Sequence, residues 1–453
     1  MKSRLVSFVI LLNMKIELSN INRIKRASIK LNGLTVIAGE NDTGKSTLSK
    51  MIFSNIKAYA NVVNEGKIGI NKRIAPVVRQ LYKRIGLPLR RNPFVYHTKS
   101  QSVFPNSAEE FIEEIISLDN VESKYFLEEF TSKLESRENI KLSTKALIEK
   151  DLQSIENCLT NRNDPTAFLQ PKVYRLIESE FFNKITSMNT EQSNFAFIDD
   201  ENGSIMSYRI SDNSVKSLSY KESFNFYKDA TYVESPLHFQ LQDVIKRAQA
   251  YMEMESYHND LWSIRNLMVP MHVKDFSDKI SSLAEYLDSA EFSTRVVNQI
   301  HGTTNGAFVY DKDKRRIMFK NELGVFSLNN VASGIKSFGV LEILLSNEII
   351  SPEKMLLWDE PENHLHPQWQ VYFADVLVQL VKAGIPIVVC SHSPYFIQAI
   401  RHFSSVHSIE GAVDYYLSRI EDDGLCTFDE VTTDLNRIFS KLAKPMNDIM
   451  NFG

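Results

Sequence analysis

Short apolar and β-branched runs, each closed by a glycine, carboxylate or histidine, mark both ends of the chain. Leu34 to Ile37, Met355 to Trp358 and the run "IPIVVC" ending at Cys390 have the pattern of strands buried on both faces of a parallel sheet. Ahead of the first, "KIELSNINRIKRASIKLNGL" reads as strand, turn and strand. "PQWQVYFADVLVQLVKAG" repeats apolar residues at helical spacing and stops at Gly384, a natural residue just past a helix end. Near the end, "VDYYLSRIED" predicts one more strand before a closing helix.

The middle of the chain follows another rhythm. "SAEEFIEEIISL" opens with a capping box, Ser107 and Glu110, and continues with apolar residues three and four apart. "VESKYFLEEFTSKLES", "STKALIEKDLQSIENCL" and "PKVYRLIESEFFNKITSM" obey the same rule. None sustains heptads over the length of a coiled-coil arm, which predicts a bundle of helices rather than a rod. Hairpins are predicted at Asn202-Gly203 and around Asp311 to Lys314, "DATYVESP" predicts a strand, and a second helical run covers about 237–300. The predicted division is an extension at 1–13, a first lobe at 14–95, a mainly helical insertion at 96–300 and a second lobe at 301–453.

Composition narrows the class. A net charge of −4 with 43% hydrophobic residues over 453 residues excludes nucleic-acid binding through global charge. Cys158, Cys390 and Cys426 are scattered, which excludes a disulfide framework or cysteine zinc hook and fits a reducing cytoplasm. The apolar run from Leu5 to Leu12 is too short to span a bilayer and no small-residue cleavage site follows it; 1–13 reads as a non-essential extension. From Lys67 to Arg91 every charged residue is basic, with Tyr82 among them. Both a nucleic-acid contact and a solvated or docking helix face fit that run.

Candidate chemistry begins at "GENDTGKST", where Gly39, Glu40, Asn41, Asp42, Thr43, Gly44, Lys45, Ser46 and Thr47 follow a strand and open a helix. This is the full Walker A pattern: the glycines let backbone N–H groups converge on phosphates, and the helix start adds its positive dipole end. Lys45 is expected to neutralise β- and γ-phosphate charge and Ser46 to offer its hydroxyl to Mg²⁺. Asp359, at the end of the second apolar strand, is the expected Walker B ligand of Mg²⁺, and Glu360 the general base toward the attacking water. His392, ending the third strand, is a candidate γ-phosphate sensor. Ser333, Gly334 and Lys336 in "ASGIKSFG" open an apolar helix and form a second anion site, expected to act on the ATP of a partner copy. His364 and His366 lack further ligands nearby and read as structural or nucleotide-proximal.

Taken in order, these motifs resemble ABC-type ATPases of the SMC and RecF-like branch, and "ENDTGKST", "ASGIKSFG", "HLHP" and "IFSKLAKPMNDI" are most similar to ATPases of bacterial anti-phage defence, the Septu type above all. The likeness covers about 14–95 and 300–453. It implies an α/β P-loop ATPase head, a mixed sheet flanked by helices, with a large, mainly helical insertion. It also implies a homodimer closed through two ATP molecules with Mg²⁺, assembly up to a hexamer, and control of a separate HNH nuclease subunit. The expected glutamine loop is unassigned, Gln80 being a candidate inside a helical pattern. No HNH or toprim pattern is present in the sequence, so a nuclease is expected on another polypeptide. The alternative is a RecF- or SMC-like repair or recombination ATPase that binds DNA itself.

Overall fold

Strand β3 (Leu34–Ala38) sits between β12 (Ile387–Ser391) and β13 (Val413–Ile420), parallel to both, with all five of its residues buried. A strand covered on both faces and both edges is apolar wherever it meets the core, as its sequence pattern predicted, and its one polar side chain, Thr35, is satisfied by donating to the Lys30 carbonyl at 2.7 Å. The computed structural model describes residues 14–66, 70–90, 105, 107–135, 142–160, 165–182, 185–188, 190–221, 226–241, 244–245, 247–248, 269–281, 291–311 and 316–451. The expected extension at 1–13 lies outside them.

Among the described residues the main sheet has eleven strands. From the β3 neighbourhood it continues through β11 (Lys354–Asp359) to β7 (Asp229–Val233), both parallel to their neighbours. In the other direction β13 pairs antiparallel with β14 (Cys426–Glu430), which lies parallel to β2 (Ile24–Lys30). Then β1 (Met14–Ile21), β4 (Ser193–Asp199), β5 (Gly203–Ser211) and β6 (Ser214–Tyr220) follow as antiparallel neighbours. A mixed sheet flanked by helices is thus the fold, the α/β architecture that the motifs implied.

Alternation along the parallel strands sorts the two faces. Leu34, Val36, Leu356, Trp358, Ile387 and Val389 face one core with three helices, α10 (Ser333–Ser346), α11 (Pro367–Lys382) and α12 (Pro394–Val406). A short sheet of β8 (Gly306–Asp311), β9 (Arg316–Asn321) and β10 (Gly324–Ser327) adds Phe308, Ile317 and Phe319 to that core. Phe308 presses against Gly339 of α10 so closely that a Cβ there would overlap its ring. Asp359 and Cys390 point to the opposite face, toward α1 (Lys45–Gly66).

The chain forms two compact units, Met1–Ala60 with Val173–Gly453, and Asn61–Lys172. The division falls elsewhere than at the expected 95/96 and 300/301 boundaries. The hairpin strands β4 to β6 extend the main sheet through β1, with Ile16 opposite Phe197, and β7 joins it beside β11. Local patterning identifies a strand, but not the distant strand it will pair with.

The second unit packs α2 (Ile70–Arg84), α3 (Ala108–Ser117), α4 (Asn120–Glu135) and α5 (Leu142–Thr160) around Ile74, Val78, Leu81, Phe111, Phe130 and Ile155. The capping box at its third helix forms: Ser107 accepts from the Glu110 N–H at 3.2 Å. Tyr82 belongs to this core, fully buried, its ring stacked 6.2 Å from that of Phe130 and its hydroxyl donating to the Pro105 carbonyl at 3.0 Å. Arg84 is paired with Asp151 at 3.1 Å. Two members of the basic run are therefore occupied within the unit, while 67–69 and 91 lie outside the described residues. All three cysteines are buried and free, and no described helix is long and apolar enough to cross a membrane.

Candidate nucleotide site

The loop after β3 folds as the glycine pattern requires. Asp42 (φ 63°) and Gly44 (φ 81°) are both left-handed, so the backbone curls between Gly39 and the start of α1. Gly39 is required for a different reason: a Cβ there would lie inside the van der Waals shell of Ser418 Oγ, on β13, and 2.9 Å from Thr43 Oγ1. The Ser418 and Thr43 hydroxyls lie 2.6 Å apart, with the Glu40 carbonyl 2.8 Å from Thr43 Oγ1 and the Ala38 carbonyl 3.1 Å from Ser418 Oγ, so one hydroxyl donates to its carbonyl while the other donates to its hydroxyl neighbour or its own carbonyl. Lys45 is buried with its ammonium folded back on the Gly39 and Glu40 carbonyls, at 3.0 and 2.6 Å. A cleft of about 480 Å³ is lined by Asn41 to Thr47 together with Asn22, Arg23 and Glu360.

At the end of β11, Asp359 is buried and accepts from two hydroxyls, Ser49 on Oδ1 at 3.2 Å and Tyr232 on Oδ2 at 2.6 Å, with the Cys390 thiol beside it. Ser49 also lies 3.1 Å from Cys390 Sγ. Burial, then the neighbouring Asp359 charge, push the Tyr232 phenol well above its usual range, and the same two causes act on the Cys390 thiol. Both therefore stay neutral beside the carboxylate. Among the described residues no cluster of three or more His, Cys, Asp or Glu side chains could hold a metal by itself. One buried carboxylate and the Ser46 hydroxyl, beside a phosphate cradle, do fit Mg²⁺, which takes few protein ligands and completes its shell with phosphate oxygens and water. His366 caps α11 instead, its Nδ1 accepting from the Gln368 N–H at 3.3 Å.

Glu360 stands one residue past the strand in a left-handed conformation (φ 48°), which turns its side chain out of the strand's alternation and into the cleft. Its N–H is held by the Cys390 carbonyl at 2.8 Å, and Asn363 donates to Oε2 at 2.6 Å. His392 Nδ1 approaches Glu360 Oε1 at 3.3 Å and Glu362 Oε1 at 3.7 Å. Glu362 is a residue that the motifs did not single out. Only 3% exposed, it accepts from Ser391 Oγ (2.6 Å) and from the N–H groups of His392 (3.0 Å) and Ser393 (3.2 Å). It fastens the turn after β11 to the turn after β12, and burial raises its pKa.

Lys45, Asp359, Glu360 and His392 thus come together at the C-terminal ends of three neighbouring parallel strands, β3, β12 and β11. That is where open α/β sheets bind ligands. The serine–glycine pair lies at the N-terminus of α10. Ser333 is exposed, and Gly334 packs so closely that a Cβ would meet Leu365 at 3.1 Å and the His364 carbonyl at 3.2 Å. Lys336 is turned inward, donating to Gln240 of α7 (Leu237–Gln240). Gln80 lies on an exposed position of α2 in the second unit. Arg23, in the β1–β2 turn, was not singled out either; it is ion-paired with Asp42 at 2.6 Å at the rim of the cleft.

A carboxylate–imidazole–carboxylate array lies behind Tyr232 and, through it, Asp359. His272, fully buried on α8 (Met271–Ser281), is bracketed by Glu180 of α6 (Pro165–Phe181) on Nδ1 at 2.7 Å and Glu234, just past β7, on Nε2 at 3.0 Å. Burial alone would lower the His272 pKa, but the two carboxylates outweigh it and raise it. Glu234 is held down to about 2, chiefly by its hydrogen bond to His272.

Among the solved structures similar to this chain, at 10% identity, are the SMC head domain from Thermotoga maritima (TM-score 0.38, covering 93% of this chain and 99% of that one), an SmcHead bound to the C-winged helix domain of ScpA (0.39, 94% and 99%), and an Smc head domain with an extended coiled coil bound to the C-terminal domain of ScpA derived from Pyrococcus furiosus (0.39, 97% and 99%). No curated protein matches the sequence significantly. The model of the AAA ATPase domain family matches residues 14–397, which spans the glycine loop, the acidic strand end and the histidine turn. With most of its length inside that match, the chain belongs to the AAA ATPase domain family.

Proposed function

We propose that the protein binds ATP with Mg²⁺ in the cleft around Lys45 and hydrolyses it in the manner of ABC-type, SMC- and RecF-like heads. The observation that carries this is the convergence of Lys45, Asp359, Glu360 and His392 on adjacent strand ends. Lys45, now on loop carbonyls, is positioned to exchange them for phosphate oxygens. Ser46 and Asp359 would hold the magnesium, which supplies charge neutralisation on the phosphates. Glu360 accepts the proton of the attacking water, and its contact with His392 ties base and γ-phosphate sensor into one unit. Ser333, Gly334 and Lys336 act on the nucleotide of a second copy, for which Lys336 has to leave Gln240.

Beyond the ATPase, the sequence likeness supports a role in anti-phage defence, in which nucleotide state governs a separate HNH nuclease held by the dimer or a higher assembly. The test is phosphate release with ATP and Mg²⁺, alone and with the product of an adjacent HNH reading frame. Turnover that requires Glu360, together with co-purification of that product, supports both levels. Absence of nucleotide binding removes the first, and a DNA-binding protein with no nuclease partner removes the second.

A further inference from the structure

Tyr232 lies on β7, which no motif points to, yet its hydroxyl donates to Asp359 Oδ2 at 2.6 Å from a fully buried position. Register explains the meeting. Trp358 pairs with Val233, so Leu357 and Tyr232 are neighbours, and Tyr232 shares the sheet face of Asp359. The ring cannot drift. It packs 4.6 Å from the His272 ring and 6.2 Å from Phe53 of α1, and His272 is itself fixed by Glu180 and Glu234. The Ser49 bond to Oδ1 is longer, at 3.2 Å, and comes from a hydroxyl with a second partner in Cys390.

The two oxygens of Asp359 are therefore unequal: one is clamped by a rigid phenol, the other is held by a rotatable hydroxyl on the helix that begins at Lys45. From this asymmetry we infer that Tyr232 is a positioning residue, locking Asp359 through Oδ2 so that Oδ1 is presented to the nucleotide-bound magnesium. This rests on the proposed Mg–ATP site. An orienting partner behind a metal ligand typically contributes on the order of 10- to 100-fold in metal affinity.

The experiment uses Tyr232→Phe, which removes one oxygen and keeps the ring, in the full-length protein. Fluorescent ATP-analogue binding is titrated with Mg²⁺ and repeated in EDTA, beside wild type and Ser49→Ala. The expected result is an Mg²⁺ half-saturation raised at least about tenfold in Tyr232→Phe, with metal-free affinity near wild type and the folded circular-dichroism spectrum retained. Ser49→Ala shifts it less. An unchanged or lowered Mg²⁺ requirement in Tyr232→Phe overturns the inference, as does an equal loss with and without metal. Failure of wild type to gain affinity with Mg²⁺ sinks the Mg–ATP reading itself, a different outcome seen in a different sample.

Discussion

Ser418 and Gly39 meet at the root of the phosphate loop so closely that no side chain fits at residue 39. Gly39→Ala should displace the loop and lower ATP affinity by about 100-fold, within the 1–3 kcal/mol that overpacking costs. Ser418→Gly in the same chain should restore part of it. A double-mutant cycle by calorimetry reads the coupling, and strictly additive losses would show that the two residues do not oppose one another.

Glu360→Gln should retain Mg–ATP binding and lose about 10²- to 10⁴-fold in turnover, the usual weight of a general base. Steady-state phosphate release with parallel binding measurements separates the two. Wild-type turnover in this variant removes Glu360 from the chemistry.

Glu362→Ala should leave the Ser391 hydroxyl and the His392 and Ser393 N–H groups without their shared acceptor. Ser393 N–H keeps the Ser391 hydroxyl as a second acceptor at 3.1 Å, so the loss is expected at about 1–3 kcal/mol for each of the other donors left unpaired, and turnover should fall as His392 loses its place. Denaturant midpoints and phosphate release check this; a variant with native stability contradicts the fastening role.

His272 makes part of the stability depend on pH. Its folded pKa is raised, so its contribution is complete below the unfolded value of about 6.5 and is lost as pH rises through the folded value. The groups facing it are Glu180, Glu234, His238 and the Phe53 and Tyr232 rings, and Lys50 is paired with Glu234 beyond it. Glu234 works with opposite sign: its contribution is present above about 4.5 and is lost as pH falls toward about 2. His272→Gln should therefore cost about 3–5 kcal/mol near pH 6, with a deficit that narrows as pH rises. Denaturant titrations at several pH values test it, and a deficit independent of pH assigns His272 to packing alone.

In the second unit, Tyr82→Ala should destabilise the bundle by about 3–5 kcal/mol, as loss of a large buried ring does. Hydrogen exchange should show faster opening over α2 to α5. Lys83, exposed on the same helix, is the cleaner position for testing nucleic-acid contact, because reversing Arg84 also breaks its pair with Asp151. If Lys83→Glu leaves DNA affinity and its salt slope unchanged, this part of the run is an ordinary solvated face.

What the sequence made legible was chemistry carried by contiguous residues. The glycine loop with Lys45, the acid pair at a strand end and the Ser107 cap each announce themselves because spacing alone brings their groups together. Tyr232 and Glu362 were invisible for the opposite reason. Tyr232 reaches Asp359 only because β7 pairs with β11, and Glu362 matters only because the turn after β12 lies against it. The antiparallel wing of β4 to β6 was read as strands but placed in an insertion, since nothing local names β1 as their neighbour. Lys336 likewise shows its helix position in the sequence, but not its engagement with Gln240.

The placement of β3 also constrains how the protein comes into being. Its hydrogen-bonding edges are filled by strands that begin only at Ile387 and Val413, so a nascent polypeptide emerging from the ribosome carries this greasy segment without its mates until both of those distant strands have been synthesised. The glycine loop attached to it can be set in shape only then, and translation products that stop short of those strands should yield sticky fragments without a formed cleft rather than half-working enzymes.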